Sequence, residues 1–376
     1  MAGVNPLRVI AKAVLLFGLV NVLFAAIDPP VGELSIFNRL IPGRIRFAAT
    51  TRTDDLSDSD VLLFEDMDAM FASHIISKGP KPSDEYRIIL LGDSSAWGFE
   101  IPPQDTLSEQ INRLNLQTRD GRRIRVYNLS YPRASSTRDL VILAKAMDYQ
   151  PDLVLWLVTL GTFFSQNDEK AFLVPMSDNV LDLIHRYHLV VNSRKFLHRH
   201  SLWDQTLIGS AARLKKISLE QLYGLLLTAN GLDANLPDSI TVPPPSGDVQ
   251  QSLVYANFTP STQSKFLQRL DFKPLSVAQD LAGSVPILIV NEPMFRATGE
   301  NSDLRYNVYY PRWAYDGYRS SLTSWIEHRG GHYLDLWDVV PNNGFMVSPL
   351  HLRPTGEALL ANHLVSAIQD ISSGMK

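Results

Sequence analysis

The stretch Arg87-Ile88-Ile89-Leu90-Leu91-Gly92-Asp93-Ser94-Ser95 runs from apolar residues into a Gly-Asp-Ser turn. Four apolar residues in succession read as a buried strand, and the glycine and aspartate as the turn that closes it. A serine there stands beyond the carboxyl end of a strand, where open α/β sheets bind their ligands. Its hydroxyl is a weak nucleophile at neutral pH and needs a base within hydrogen-bond reach. Histidine suits that task, because its unperturbed pKa of about 6.5 lies close to working pH. One lies near the other end of the chain, in Ser348-Pro349-Leu350-His351, ahead of Pro354, Gly356 and an apolar helical pattern. The expected chemistry is acyl transfer through Ser94, with His351 taking and returning the proton. Of the other histidines, His185, His188, His198 and His200 read as surface residues, and His363 as packing on the closing helix.

Positioning these two residues requires a sheet whose strand ends share one edge. Strand-like runs recur at Ile88–Leu91, Ile124–Asn128, Leu153–Val158, Ile287–Asn291 and Tyr333–Leu336. Helical patterns lie between most of them. Residues 136–149 place Leu140, Leu143, Ala144 and Met147 on one face, and the closing helix from about Thr355 does so with Leu359, Leu360, Leu364 and Ile368. Alternating β and α segments predict a parallel sheet with helices on both sides.

At these residues the chain resembles the SGNH/GDSL hydrolases, esterases and acyl-transfer enzymes on a flavodoxin-like α/β sheet. The resemblance covers roughly residues 85–165 and 284–370. It implies a three-layer sandwich of about five parallel strands, with Ser94 of Gly92-Asp93-Ser94 as nucleophile and His351 as base. The second block of the family places an oxyanion-hole glycine after the second strand. Here Tyr127-Asn128-Leu129-Ser130 puts Ser130 at that position, which keeps a backbone N–H donor. The third block carries an asparagine donor where this chain reads Gly161-Thr162-Phe163-Phe164. The last block reads Asp-x-x-His in the family and Ser348-x-x-His351 here.

The acid would hold the imidazole in one tautomer and stabilise the imidazolium that forms. Ser348 can accept a hydrogen bond but brings no charge. Three explanations stand: a Ser94–His351 dyad with a backbone carbonyl orienting the ring; a substitute carboxylate, Asp335 or Asp338; or a degenerate site that only binds. The donor that Phe163 lacks is open to Asn291, beside Ser94 and Ser130, or to Asn301 or Asn307. Asp93, Glu292, Arg305, Asn307 and Arg312 are candidate substrate contacts. The Tyr- and Trp-rich loop of residues 299–313 would suit a sugar face or an anionic group, or else pack internally.

With 376 residues, 45% of them hydrophobic, the chain can bury a full core and is too polar to be a multi-span membrane protein. A formal charge of −4 gives no electrostatic reason to expect nucleic acid. The absence of cysteine excludes disulfides, thiolate metal sites and a cysteine nucleophile. No His/Glu spacing suits a metal-hydrolase site, and Asp54, Asp55, Asp58 and Asp60 lack the alternation of a calcium loop. No metal or cofactor is expected. The turn after the first strand also lacks a dinucleotide or Walker fingerprint.

Val9 to Ile27 is apolar but for Lys12 and Asn21, long enough for one membrane span of about 20 residues. Arg8 and Lys12 at its start place the N-terminus in the cytoplasm and the body outside it. A cleaved signal peptide fits less well, because Leu23-Phe24-Ala25-Ala26 puts bulky residues where small ones are wanted. The expected organisation is an anchor (1–28), a tether and extension (29–84), the α/β domain in two parts (85–164 and 281–376), and a helical insertion (165–280). Helices at 181–189 and 202–227 would build that insertion, capping the site or lying on the membrane through the apolar run 222–227. The expected function is a membrane-anchored, extracytoplasmic serine esterase or O-acyltransferase acting on acyl groups, acetyl among them, of a glycan or lipid. The alternative is a degenerate domain that binds an acylated glycan or lipid or scaffolds an envelope complex.

Overall fold

Five segments form one parallel sheet: β1 (Glu85–Leu91), β2 (Arg123–Asn128), β3 (Leu153–Val158), β4 (Ile287–Asn291) and β5 (His332–Asp335). The computed structural model of the protein describes residues 5–27, 29, 43–47, 50–51, 61–62, 67–132, 134–163, 178–189, 203–212, 214–215, 218, 222, 266–346 and 348–374. The strand order is β2-β1-β3-β4-β5, the flavodoxin-like doubly wound order. The chain leaves β1 for β2 on one side and returns to β3 on the other, so the crevice of this fold opens at the ends of β1 and β3. There Leu90 pairs with Asn128 and Leu91 with Trp156.

The helices, in chain order, are α1 (Pro6–Ile27), α2 (Met67–Ser73), α3 (Ser94–Trp97), α4 (Leu107–Arg113), α5 (Ser136–Ala146), α6 (Asp178–Tyr187), α7 (Lys273–Ala282), α8 (Arg312–Glu327) and α9 (Pro354–Ser372). Side-chain alternation divides the sheet between two cores. Ile89, Leu91, Val154, Trp156 and Val158 pack with α5, α7 and α8, while Ile88, Leu90, Leu155, Leu157 and Val290 pack with α4 and α9. Each fully buried Ile or Leu contributes about 1.5–3 kcal/mol. The expected three-layer sandwich with a parallel sheet is therefore present, its sheet of five strands.

One reading changes and another gains detail. His363 is exposed on α9, between the buried Ala361 and Leu364. The described parts of the 29–84 extension pack on the domain: Phe47, Phe71 and Ile76 are buried in the core, and Arg46 bridges to Asn128 along the open side of β2. His74 is buried there, its Nε2 2.9 Å from Ile45 O, and burial lowers its pKa to about 4. Asp54, Asp55, Asp58, Asp60, His198, His200 and nearly all of 202–227 lie outside the described residues. His185 and His188 are exposed, as expected.

Helix α1 is long and apolar enough to cross a membrane, with mean hydropathy 2.3 over its most apolar window and nearly all its side chains exposed. Its 22 residues span about 33 Å, matching a hydrocarbon core of about 30 Å. The polar Asn21 is satisfied within protein, donating to Phe17 O (2.8 Å) and accepting from Ile208 N–H (3.1 Å).

Candidate active site

Strand β1 ends in a turn that only glycine can make. A Cβ on Gly92 would lie 2.7 Å from Ala96 Cβ and 3.3 Å from Leu157 Cβ. The next residue, Asp93, caps α3: its carboxylate accepts from Ser95 N–H at 2.8 Å. Ser94 is thus the first residue of α3. Beneath the turn the buried Arg138 guanidinium donates to Gly92 O (3.3 Å), Pro132 O (2.6 Å) and Asp139 (2.8 Å). Trp156 Nε1 donates to the other Asp139 oxygen at 3.0 Å.

Across 257 residues of chain, His351 Nε2 lies 3.0 Å from Ser94 Oγ. The two residues that sequence reasoning paired are therefore within hydrogen-bond reach. The histidine loop is held mostly through its backbone. His351 N–H donates to Ser348 O (3.3 Å), Met346 N–H to His351 O (2.9 Å) and Phe295 N–H to Pro349 O (2.7 Å). Ser95 Oγ donates to Leu350 O at 3.0 Å, tying the nucleophile helix to the histidine loop. The Phe99 ring lies 5.0 Å from the imidazole and packs against it.

The other ring nitrogen, His351 Nδ1, is buried and has no hydrogen-bond partner among the described residues, a backbone carbonyl included. None of the expected acids reaches it. Ser348 Oγ accepts from Leu350 N–H instead (3.4 Å). Asp335 accepts from Asn291 Nδ2 (2.8 Å) and from Arg319 Nε and Nη2 (2.9 and 2.6 Å), and Asp338 lies 3.7 Å from Arg296. β5 and the turn after it direct Asp335 and Asp338 to Arg319 and Arg296. The acidic oxygen facing Nδ1 is Glu100 Oε2, at 3.9 Å, which sequence reasoning did not single out. Its signal was Gly98. Gly98 N–H donates to Ser95 O (3.0 Å) and Phe99 N–H to Ser94 O (2.9 Å), with Gly98 at φ +82°. This Schellman turn reverses the chain after α3 and brings residue 100 back to the histidine.

The oxyanion donors also differ from expectation. Ser94 N–H, the first amide of α3, makes no hydrogen bond among the described residues and is open to a developing oxyanion. Ser130 N–H is not: it donates to Asn128 Oδ1 at 3.1 Å. Asn291 is fully buried, giving its amide to Asp335 and accepting from the Tyr315 and Tyr318 hydroxyls (3.3 and 3.2 Å), so it supplies no donor to the site. Phe163 is core, its ring 4.9 Å from Phe272.

The 299–313 loop packs internally. Arg305 donates to Asn307 O and Val308 O, Asn307 Oδ1 accepts from Tyr309 and Tyr310 N–H, and Arg312 donates to Ser302 O and covers the Tyr306 ring. In this structure these side chains hydrogen-bond loop backbone. Asp93 and Glu292 are buried beneath the nucleophile rather than facing a ligand.

The strand order is the flavodoxin-like one that the GDSL/SGNH resemblance implies. No family model matches the chain, and no curated protein matches it. Among solved structures it is similar to a carbohydrate acetylesterase family member from Sinorhizobium meliloti (11% identity, 77% of this chain and 99% of that one, TM-score 0.35). It is similar also to a lipase/acylhydrolase from Enterococcus faecalis (13%, 76% and 96%, TM-score 0.38). A third is the aryl esterase of M. smegmatis (11%, 76% and 98%, TM-score 0.34). Neither activity nor substrate is carried to this chain from similarities at this level.

Burial raises the carboxyl pKa values of Asp93, Glu292 and Glu357, and lifts that of Asp139 to about 7. A carboxyl with a raised folded pKa adds stability that is full below its unfolded value, about 4, and lost as pH rises through the folded value. His74 acts in the opposite sense, but its contribution falls only below its unfolded value of about 6.5. Between pH 6.5 and 8.5 the carboxyls outweigh it, since His74, half protonated when unfolded at pH 6.5, gives back only about 0.4 kcal/mol over that range. Unfolding in denaturant is expected to show lower stability at pH 8.5, by about 1 kcal/mol from Asp139 alone. Equal or greater stability at pH 8.5 contradicts this account.

Proposed function

We propose that the protein is a serine esterase of the GDSL/SGNH type, anchored in a membrane by α1 with its catalytic domain on the extracytoplasmic side. Its substrate is an ester-linked acyl group, acetyl among the candidates, on a glycan or lipid. The observation that carries this reading is the 3.0 Å approach of His351 Nε2 to Ser94 Oγ. His351 takes the hydroxyl proton as Ser94 Oγ attacks the ester carbonyl, and Ser94 N–H faces the oxyanion. Collapse expels the alcohol, which takes the proton back from His351. Water, or a sugar hydroxyl in an O-acyltransferase, then gives its proton to His351 and attacks the acyl-enzyme; His351 returns that proton to Ser94 Oγ as the acid or acylated sugar leaves. Membrane anchoring is supported by the exposed apolar surface of α1, and its orientation by Arg8 and Lys12 at the N-terminal end.

A second reading, a binding domain without catalysis, is favoured by the donors: Ser130 N–H is engaged and Phe163 stands where the family has asparagine. Removing one oxyanion donor costs about 10²–10³ in rate. The test is fluorophosphonate labelling of the full-length chain in detergent, with the adduct located by peptide mass. Labelling at Ser94 that is lost in Ser94→Ala is expected. A folded wild-type chain that takes no label rejects the esterase and leaves the binding domain.

A further inference from the structure

Resting on the Ser94–His351 reading, we infer that Glu100 is the acid of this site, a positioning residue that holds His351 from the loop behind the nucleophile helix rather than from the histidine's own block. The first observation is mutual. Glu100 Oε2 and His351 Nδ1 are both buried, both lack a hydrogen-bond partner among the described residues, and face each other at 3.9 Å. Buried polar groups are paired in native structures, so two orphans facing one another mark a contact that the site is built to make. The separation leaves no room for a bridging water, since two hydrogen bonds through one water span about 4.5 Å. Closing it takes about 1 Å, and catalytic hydrogen bonds commonly tighten only when substrate is bound.

The second observation is the backbone. Glu100 sits at φ +65°, in the left-handed region where a side chain is disfavoured and glycine is at ease. The chain nevertheless carries a carboxylate there. Strain of this kind persists where the surroundings hold it in place, and it clusters at functional sites. Here the surroundings are the Schellman turn at Gly98 and the buried Ile101. The third observation is exclusion: Asp335 and Asp338 face Arg319 and Arg296, and Ser348 binds Leu350 N–H.

In this arrangement Glu100 keeps the proton of the neutral imidazole on Nδ1, so that the lone pair of Nε2 faces Ser94. When His351 takes the Ser94 proton, the carboxylate stabilises the imidazolium. Glu100 gains no proton and forms no bond to substrate.

The experiment measures the inactivation rate constant and inhibitor affinity of a fluorophosphonate, with thermal midpoints, for full-length wild type, Glu100→Gln, Glu100→Asp and Glu100→Gly. Glu100→Gln is expected to lower the inactivation rate constant about 10²–10³-fold with inhibitor affinity unchanged, because charge is lost and shape is kept. Glu100→Asp should recover part of that rate. Glu100→Gly should react as slowly as Glu100→Gln while its midpoint stays level or rises, since the backbone strain is relieved. A purely structural side chain would move rate and midpoint together. Glu100→Gln reacting within threefold of wild type overturns the inference, as does a slow Glu100→Gln whose midpoint falls in step. A wild type that takes no label is a different result and overturns the esterase reading itself.

Discussion

Replacing His351 with alanine is expected to lower the rate of Ser94 phosphonylation by about 10³–10⁵-fold while leaving the fold intact. The rate depends on His351 because its Nε2 is the group within hydrogen-bond reach of Ser94 Oγ that can take a proton. The fold does not, because the loop carrying His351 is fixed by the carbonyls of Ser348, Pro349 and Leu350 and by its own carbonyl, none of which changes in the variant. The loss on the folded state is the packing of one partly exposed ring against Phe99, so the thermal midpoint should move by a few degrees at most. His351→Ala retaining a rate within tenfold of wild type would mean that another base serves Ser94. Ester turnover, where a substrate is found, should fall by at least as much, since His351 there transfers protons in both halves of the reaction.

Arg138→Met is the substitution expected to cost the most stability. The guanidinium is buried beneath the Gly92 turn and joins Gly92 O, Pro132 O and Asp139. Methionine fills much of the volume but leaves two carbonyls without that donor and one carboxylate without its cation. Removing one partner of a buried pair costs about 3–5 kcal/mol, because the other charge stays desolvated. Burial already lifts Asp139 to about 7, so the variant can relieve its loss by protonation. The loss measured by urea unfolding should therefore be greater at pH 8 than at pH 5.5. A cost under 1 kcal/mol at pH 8 would show that the cluster is dispensable. Because Arg138 also supports the turn carrying Ser94, labelling should slow in the fraction that remains folded.

The sheet was legible because its strands are continuous apolar runs, and burial on both faces leaves few other states for residues such as 153–158. Ser94 and His351 were legible because each sits at a punctuated boundary: Gly92-Asp93 before the serine, and Pro349 and Pro354 around the histidine. The acid was not. Glu100 lies six residues beyond the nucleophile, in no strand or helix, and only the reversal at Gly98 and a positive φ return it to the site. The hydrogen bonds of Asp335, Asn291, Arg305 and Arg312 go elsewhere than their sequence positions suggest, for a common reason. Position at the correct sheet edge says nothing about where a side chain's hydrogen bonds go, and here Arg319, Tyr315, Tyr318 and loop carbonyls take them. The segment 29–84, expected as a tether and extension, carries no motif that places its aromatic residues. Phe47 and Phe71 nevertheless stack edge to face at 5.2 Å within the core.

The 257 residues between Ser94 and His351 make reactivity a late event in the life of the chain. Joining ends so far apart costs ~5 kcal/mol in chain entropy alone, and a single hydrogen bond near 3 Å does not supply it. It is supplied by β4 and β5 taking their places in the sheet and by α9 docking on α4. During synthesis the nucleophile turn emerges with β1, but its base follows only after β5. A nascent or truncated chain that already displays Ser94 is therefore chemically silent. Labelling of Ser94 would thereby report on whether β5 and α9 have seated.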